Sequence, residues 1–165
     1  MNLDNNFDIN YKIPKPKNYK KYNIGIIGAG NIVENSHLPT YLANDLNITN
    51  IFDVDVNKSK LLSDKYNIKK YSQNLDDFLQ DKDIDIVDIA IPAKHNKDIF
   101  FHTLNVNKHI LIQKPLSDNI EDGLDILKEY QQSNLKANVN HQMRYSPSIR
   151  AAGDLIKNNM LGLKL

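Results

Sequence analysis

The segment Ile24-Gly25-Ile26-Ile27-Gly28-Ala29-Gly30-Asn31-Ile32-Val33 places two closely spaced glycines where an aliphatic run gives way to a helical one. Gly28 permits a tight turn, and Gly30 lets the backbone come close to a pyrophosphate on the helix N-terminus, where free N–H groups and the helix dipole favour an anion. Gly28, Ala29, Gly30, Asn31 and Ile32 are thus the candidate phosphate-facing residues. Val33 stands where a third glycine is common, so the helix must sit slightly outward or pack less closely on its strand. Asp53 closes the next aliphatic run, 23 residues after Gly30, near the roughly 20 expected for a carboxylate that accepts hydrogen bonds from an adenosine ribose. Its charge repels a 2′-phosphate and favours NAD, while Lys58 and Ser59 follow closely enough to leave NADP open. Asp55 is the rival carboxylate, but strand alternation points it to the opposite face.

Three later segments carry further polar chemistry. In Ile91-Pro92-Ala93-Lys94-His95, Pro92 ends a strand and His95 opens a helix near the carboxyl edge where doubly wound sheets bind ligands. In Ile112-Gln113-Lys114-Pro115-Leu116, the proline holds Lys114 extended at the same edge. Arg144, one of two arginines, has a planar fork that can bind a carboxylate or sugar hydroxyl, or pin a crossover to the sheet. The five histidines show no metal-ligand spacing, and His37-Leu38-Pro39 reads as packing where Pro39 kinks or divides the first helix.

Positioning these residues requires alternating elements. Nearly continuous aliphatic runs at 24–27, 48–54, 84–91 and 109–112, with weaker ones at 69–72 and 135–139, read as strands buried on both faces. Helical periodicity fills the intervals at 57–66, 74–80, 96–104 and 120–130. The last of these directs Leu124, Ile126 and Leu127 to a core, with Ser117 or Asp118 as its cap and Glu121 reaching back. Strand and helix alternate about six times, which demands right-handed crossovers and an α/β, doubly wound, mainly parallel sheet in a three-layer αβα arrangement.

Composition bounds the function. A chain of 165 residues with no Cys can bury a sufficient core without a disulfide, and it cannot use thiolate metal sites or a Cys nucleophile. The formal net charge of +1 gives no reason to expect nucleic acid, and the Lys- and Tyr-rich stretch at 12–22 is the one candidate for it. No apolar run reaches a membrane span and the N-terminus does not resemble a signal peptide, so a cytoplasmic protein is expected. Residues 1–21 read as a flexible arm, 22–145 as the dinucleotide-binding domain, and 146–165 as the start of a crossover helix.

The stretches 25–31, 37–39, 51–55, 85–95, 109–116 and 138–147 together resemble the Gfo/Idh/MocA family of nicotinamide-dependent oxidoreductases, in its Rossmann-type dinucleotide-binding half. The resemblance implies that Pro92 and His95 lie beside the nicotinamide ribose. It also implies that Lys114, from a Glu-Lys-Pro motif, lies near the nicotinamide and assists at the reacting oxygen. Gln113 replaces the Glu of that motif and retains an acceptor for cofactor contact while weakening any electrostatic effect on Lys114. Arg144 falls in the segment that enters the family's second domain. On this reading the chain binds NAD, with NADP possible, and belongs to an enzyme moving hydride to or from a sugar, cyclitol or related polyol. The second domain is expected to be absent, or supplied as a separate chain, leaving this one weakly active alone. A non-catalytic dinucleotide-binding or regulatory module is the alternative.

Overall fold

The computed structural model describes Asn18, residues 21–158 and Met160. Most of the expected N-terminal arm lies outside the described residues. The chain divides into two compact units, Asn18–Asn140 and a second that contains the segment from His141 onward, ahead of the boundary expected after residue 145.

Six strands build the first unit: β1 (Asn23–Ile27), β2 (Asn47–Phe52), β3 (Lys70–Ser72), β4 (Ile86–Ile89), β5 (His109–Gln113) and β6 (Ala137–Asn140). They pair in the order β3-β2-β1-β4-β5-β6, every pair parallel. Parallel neighbours need crossovers, and each is a helix or contains one: α1 (Leu38–Ala43), α2 (Val56–Tyr66), α3 (Leu75–Leu79), α4 (Asn96–Asn105) and α5 (Ile120–Gln131). Because β1 lies between β2 and β4, the winding reverses there, and the carboxyl ends of these strands part to form a crevice.

The sheet is covered on both faces, as the aliphatic runs require. On one side Ile24, Ile26 and Ile51 pack with Val33, Leu38 and Leu62 from the α1 and α2 layer. On the other, Ile27, Val87, Ile89, Ile110 and Ile112 pack with Phe78, Phe100, Leu104 and Ile126 from α3, α4 and α5. Each of these fully buried side chains contributes roughly 1.5–3 kcal/mol of transfer free energy.

Four local expectations are adjusted. The first helix opens at Asn31, widens into a π-helical turn at Val33–His37 and continues as α1 with Pro39 in its first turn; the backbone stays helical at Ile32, His37 and Leu38, so the change of helix type precedes the proline and the helix is not divided at it. Strand β4 stops at Ile89, before Pro92 is reached; Ala90 still donates to Ile27 O, and Pro92 instead precedes a 3-10 turn at Ala93–His95. Asn119, not Ser117 or Asp118, caps α5: its side chain accepts from Asp122 N at 2.8 Å and donates to the Asp122 carboxylate at 2.7 Å. The helix starts at Ile120 as expected, but with Asn119 as the cap the third position is Asp122 rather than Glu121, and its carboxylate answers the Asn119 side chain instead of the cap backbone N–H. Finally, Ile126 is buried but Leu124 and Leu127 are 59% and 48% exposed. Helix α5 packs chiefly against α4, and periodicity alone does not show how much of a helix its neighbours cover.

In the second unit, Gln142–Tyr145 form a 3-10 turn and α6 (Pro147–Lys157) follows, capped by Ser146, whose hydroxyl accepts from Ile149 N. No helix among the described residues is long and apolar enough to cross a membrane.

Candidate functional site

The turn after β1 is built around two glycines with different duties. Gly28 has φ +107°, and a Cβ there would lie 2.4 Å from Ala90 O, so the position is closed to any side chain. A Cβ on Gly30 would meet nothing within 4 Å, which leaves the helix opening uncovered. Gly30 O accepts from Val33 N and Glu34 N, making this residue the cap, and the amides of Asn31 and Ile32 begin the helix without an acceptor one turn back. Val33, which stands where a third glycine is common, is fully buried and begins the wide π turn.

Asp53, just past β2, ties the turn together. Its Oδ2 accepts the Ala29 N–H at 2.7 Å and its Oδ1 accepts Asp55 N–H at 2.8 Å. Asp55 is occupied otherwise, as the cap of α2, accepting from Asn57 N at 3.1 Å. Above these strand ends lies a cleft of about 440 Å³ whose lining includes Gly28, Asp53, Val54, Lys58, Pro92, His95, Asp98 and Ile99. The structure thus gathers Gly28, Asp53, Pro92 and His95 from three separate strand ends into one crevice. His95 occupies the cap position of α4 without capping it, which leaves its exposed ring free for a ligand. Lys58 is 3.9 Å from the Asp55 carboxylate and shares the cleft with two other carboxylates, those of Asp53 and Asp98.

Lys114 stands immediately beyond β5, exposed, and joined to Pro115 by a cis peptide bond. The segment is fastened from two sides. Gln113 Oε1 accepts the Lys114 N–H at 2.8 Å, and the buried Asn96 donates its amide to Pro115 O and Leu116 O, both at 3.1 Å. The other end of the Gln113 amide meets His37 Nε2 at 3.0 Å, so both ends of that side chain are engaged within the chain. His37 is buried and bonded to Asp88 at 2.6 Å; Tyr41 donates its hydroxyl to the same carboxylate oxygen at 2.8 Å. Burial first, then the Asp88 carboxylate, pushes the Tyr41 hydroxyl far above its ordinary range. Arg144 is exposed on the 3-10 turn of the second unit.

Sequence reasoning did not single out Asp88, Tyr41, Asn96 or Asp98. Asp88 offered a signal, as a carboxylate inside an otherwise aliphatic strand; the other three offered none. No group of three or more His, Asp and Glu side chains able to hold a metal lies together among the described residues.

An anion-ready helix opening, a carboxylate at the neighbouring strand end and an apolar-walled crevice at the switch point are the parts a dinucleotide needs, and the uncovered backbone at Gly30 leaves room for its phosphates. Fold and site therefore define a nucleotide-binding domain of the doubly wound class. The family model for Gfo/Idh/MocA proteins, described as an oxidoreductase family with an NAD-binding Rossmann fold, matches residues 22–141, and the chain belongs to that family. A protein of Saccharomyces cerevisiae, YMR315W, is 29% identical over 140 residues, covering 82% of this chain and 40% of its own length. Among solved structures, the myo-inositol dehydrogenase of Lactobacillus casei in complex with NAD(H) and myo-inositol superposes with a TM-score of 0.79 at 23% identity, over 87% of this chain and 43% of that one. The 3-ketoreductase KijD10 of Actinomadura kijaniata, as a Y186F mutant in complex with TDP-benzene and NADP, gives 0.77 at 20%, over 86% and 44%. The chain thus spans about two fifths of the length of these relatives.

Proposed function

We propose that this chain is the nicotinamide-dinucleotide-holding part of an oxidoreductase that moves hydride to or from a sugar, cyclitol or related polyol, with NAD preferred over NADP. The observation that carries this reading is the meeting of Asp53 with the Gly28 turn at one cleft. Gly28 to Ile32 would face the pyrophosphate through backbone N–H groups, and Asp53 would accept from the adenosine ribose. Preference for NAD is supported by the two carboxylates of the cleft, Asp53 and Asp98, against one lysine, Lys58, that already faces Asp55. A 2′-phosphate brought there would meet net negative charge.

The nicotinamide, when bound, supplies or accepts the hydride. Pro92 and His95 would border its ribose. Lys114 would donate a hydrogen bond from its ammonium to the reacting oxygen and stabilise the charge that develops there. Gln113 acts beside it, and Arg144 would recognise substrate hydroxyl or carboxylate groups through its planar fork. The polyol class is suggested by the solved relative that carries myo-inositol, which the chain covers over 43% of its length. The remaining substrate contacts are assigned to the portion of the relatives this chain does not span, whether on the same polypeptide or on a separate one.

Calorimetric titration of the chain with NADH and NADPH tests the reading. NADH is expected to bind more tightly than NADPH. Binding of neither at millimolar concentration would sink it.

A further inference from the structure

The side chains behind Lys114, of which His37 and Asp88 are buried, form a line of hydrogen bonds whose direction is determined by its ends. Gln113 Oε1 accepts the Lys114 N–H, so the NH2 end of the amide faces His37 Nε2. An amide nitrogen only donates, which requires His37 Nε2 to be bare. The ring proton is then on Nδ1, and this N–H donates to Asp88 Oδ2 at 2.6 Å, beside the Tyr41 hydroxyl at 2.8 Å on the same oxygen. Every donor from Lys114 inward is oriented toward one carboxylate.

Packing alone does not account for this arrangement. Asp88 is completely buried in central strand β4, and its Oδ1 has no hydrogen-bond partner. A buried carboxylate oxygen without a donor is destabilising, and an aliphatic residue would suit a strand flanked by Val87 and Ile89. The residues it organises come from widely separated parts of the chain: α1 and its π turn supply Tyr41 and His37, β4 supplies Asp88, and β5 supplies Gln113. All lead to the backbone of Lys114.

We propose that His37 is a positioning residue for Lys114. Held by Asp88 as the Nδ1–H tautomer, it orients the Gln113 amide, which in turn fixes the Lys114 backbone just beyond the carboxyl end of β5. Gln113 is the element that keeps His37 neutral. A Glu at the same place would accept rather than donate, would require a proton on Nε2 as well, and would convert the ring to imidazolium between two carboxylates. The functional consequence rests on the reading of Lys114 as the residue facing the nicotinamide, but the geometry of the relay does not.

The test uses the full chain labelled with 15N-histidine. Long-range proton–nitrogen spectra near neutral pH should show His37 protonated on Nδ1 and bare on Nε2, and Gln113→Glu should show both nitrogens protonated. In His37→Ala, the Lys114 amide should exchange at least about tenfold faster, a change of about 1.4 kcal/mol in local opening, while amides of β1 and β4 keep their wild-type rates. A merely structural role would move all of these amides together. A wild-type Nε2–H tautomer, a Gln113→Glu ring that remains neutral, or unchanged Lys114 exchange in folded His37→Ala would each overturn the proposal. Should His37→Ala not fold, the wild-type tautomer and the Gln113→Glu protonation decide it alone. NADH titration of the same samples keeps the two readings apart, since failure to bind NADH removes the dinucleotide reading and leaves the relay standing.

Discussion

Asp53 and Ala29 are joined by a hydrogen bond of 2.7 Å in which the carboxylate at the end of β2 accepts the backbone N–H of the glycine turn after β1. One side chain thus fixes the phosphate-facing turn and offers its charge to the cleft. The two duties separate by substitution. Asp53→Asn keeps one oxygen able to accept from Ala29 but turns an amide nitrogen toward the Asp55 N–H, and should cost about 1–2 kcal/mol, less than the alanine variant, while narrowing the preference for NADH over NADPH. Asp53→Ala loses the acceptor for both Ala29 and Asp55, and should cost about 1–3 kcal/mol in urea unfolding. Its NADH affinity, read by calorimetry, should fall by about 10–100-fold. An unchanged NADH preference in both variants would remove Asp53 from the site.

The glycines of the turn give a second contrast. Gly28→Ala forces a side chain at φ +107° to within 2.4 Å of Ala90 O, and the backbone must move. Its cost should be about 2–4 kcal/mol, visible as a lower unfolding midpoint. Gly30→Ala meets nothing and should unfold within about 0.5 kcal/mol of wild type. Its added methyl nevertheless stands where phosphate must approach, so NADH should bind more weakly. A Gly30→Ala variant with full affinity would show that the pyrophosphate does not pass over this residue.

What the sequence made legible follows from how each feature is encoded. Parallel strands covered on both faces leave continuous aliphatic runs, so β1, β2, β4 and β5 could be read directly, and with them the Gly28 turn and Asp53. The cap of α5 is off by one residue because Ser117, Asp118 and Asn119 are all competent caps, and only the backbone decides among them. The exposure of Leu124 and Leu127 depends on how much of α5 its neighbours cover, which helical periodicity does not carry. Least legible is the His37, Asp88 and Gln113 line. His37 is 51 residues from Asp88 and 76 from Gln113, and their meeting depends on strand register and helix rotation at once. A histidine beside a proline and a lone aspartate in a strand each suggest little until the fold brings them together.

Asn96 fastens the Lys114 segment from the opposite side to His37. It is almost fully buried and donates to Pro115 O and Leu116 O. Asn96→Ala leaves two carbonyls without a donor, and Asn96→Asp replaces the donor by a carboxylate facing those carbonyls. The alanine variant should lose about 1–3 kcal/mol of stability and the aspartate variant more, judged by denaturant midpoints at neutral pH. Because the strand β5 amides are bonded elsewhere, their hydrogen-exchange protection should fall less than that of residues 114–117. Equal loss throughout would mean that Asn96 supports the whole sheet rather than this segment.

Lys97, next to it on α4, ties that helix to α5 by reaching Asp125 at 2.5 Å and Asp122 at 2.9 Å. These bonds, to Asp125 first and then to Asp122, hold the Lys97 ammonium above the ordinary lysine range, and Lys97 followed by Asn119 holds the Asp122 carboxyl below its usual 3.8. A carboxyl depressed on folding adds stability that is fully present above its unfolded value and is lost as the pH falls through the folded one. The contribution of this tether should therefore be constant near neutrality and disappear on acidification below pH 3.8. Thermal unfolding of wild type and Lys97→Met across that range is the measurement. The variant should melt lower than wild type at neutral pH, and the difference should shrink in acid. High salt should narrow the gap as well, since the bridge is partly exposed and screened. A gap that persists undiminished in acid would mean that Lys97 acts by packing its aliphatic stem rather than by pairing.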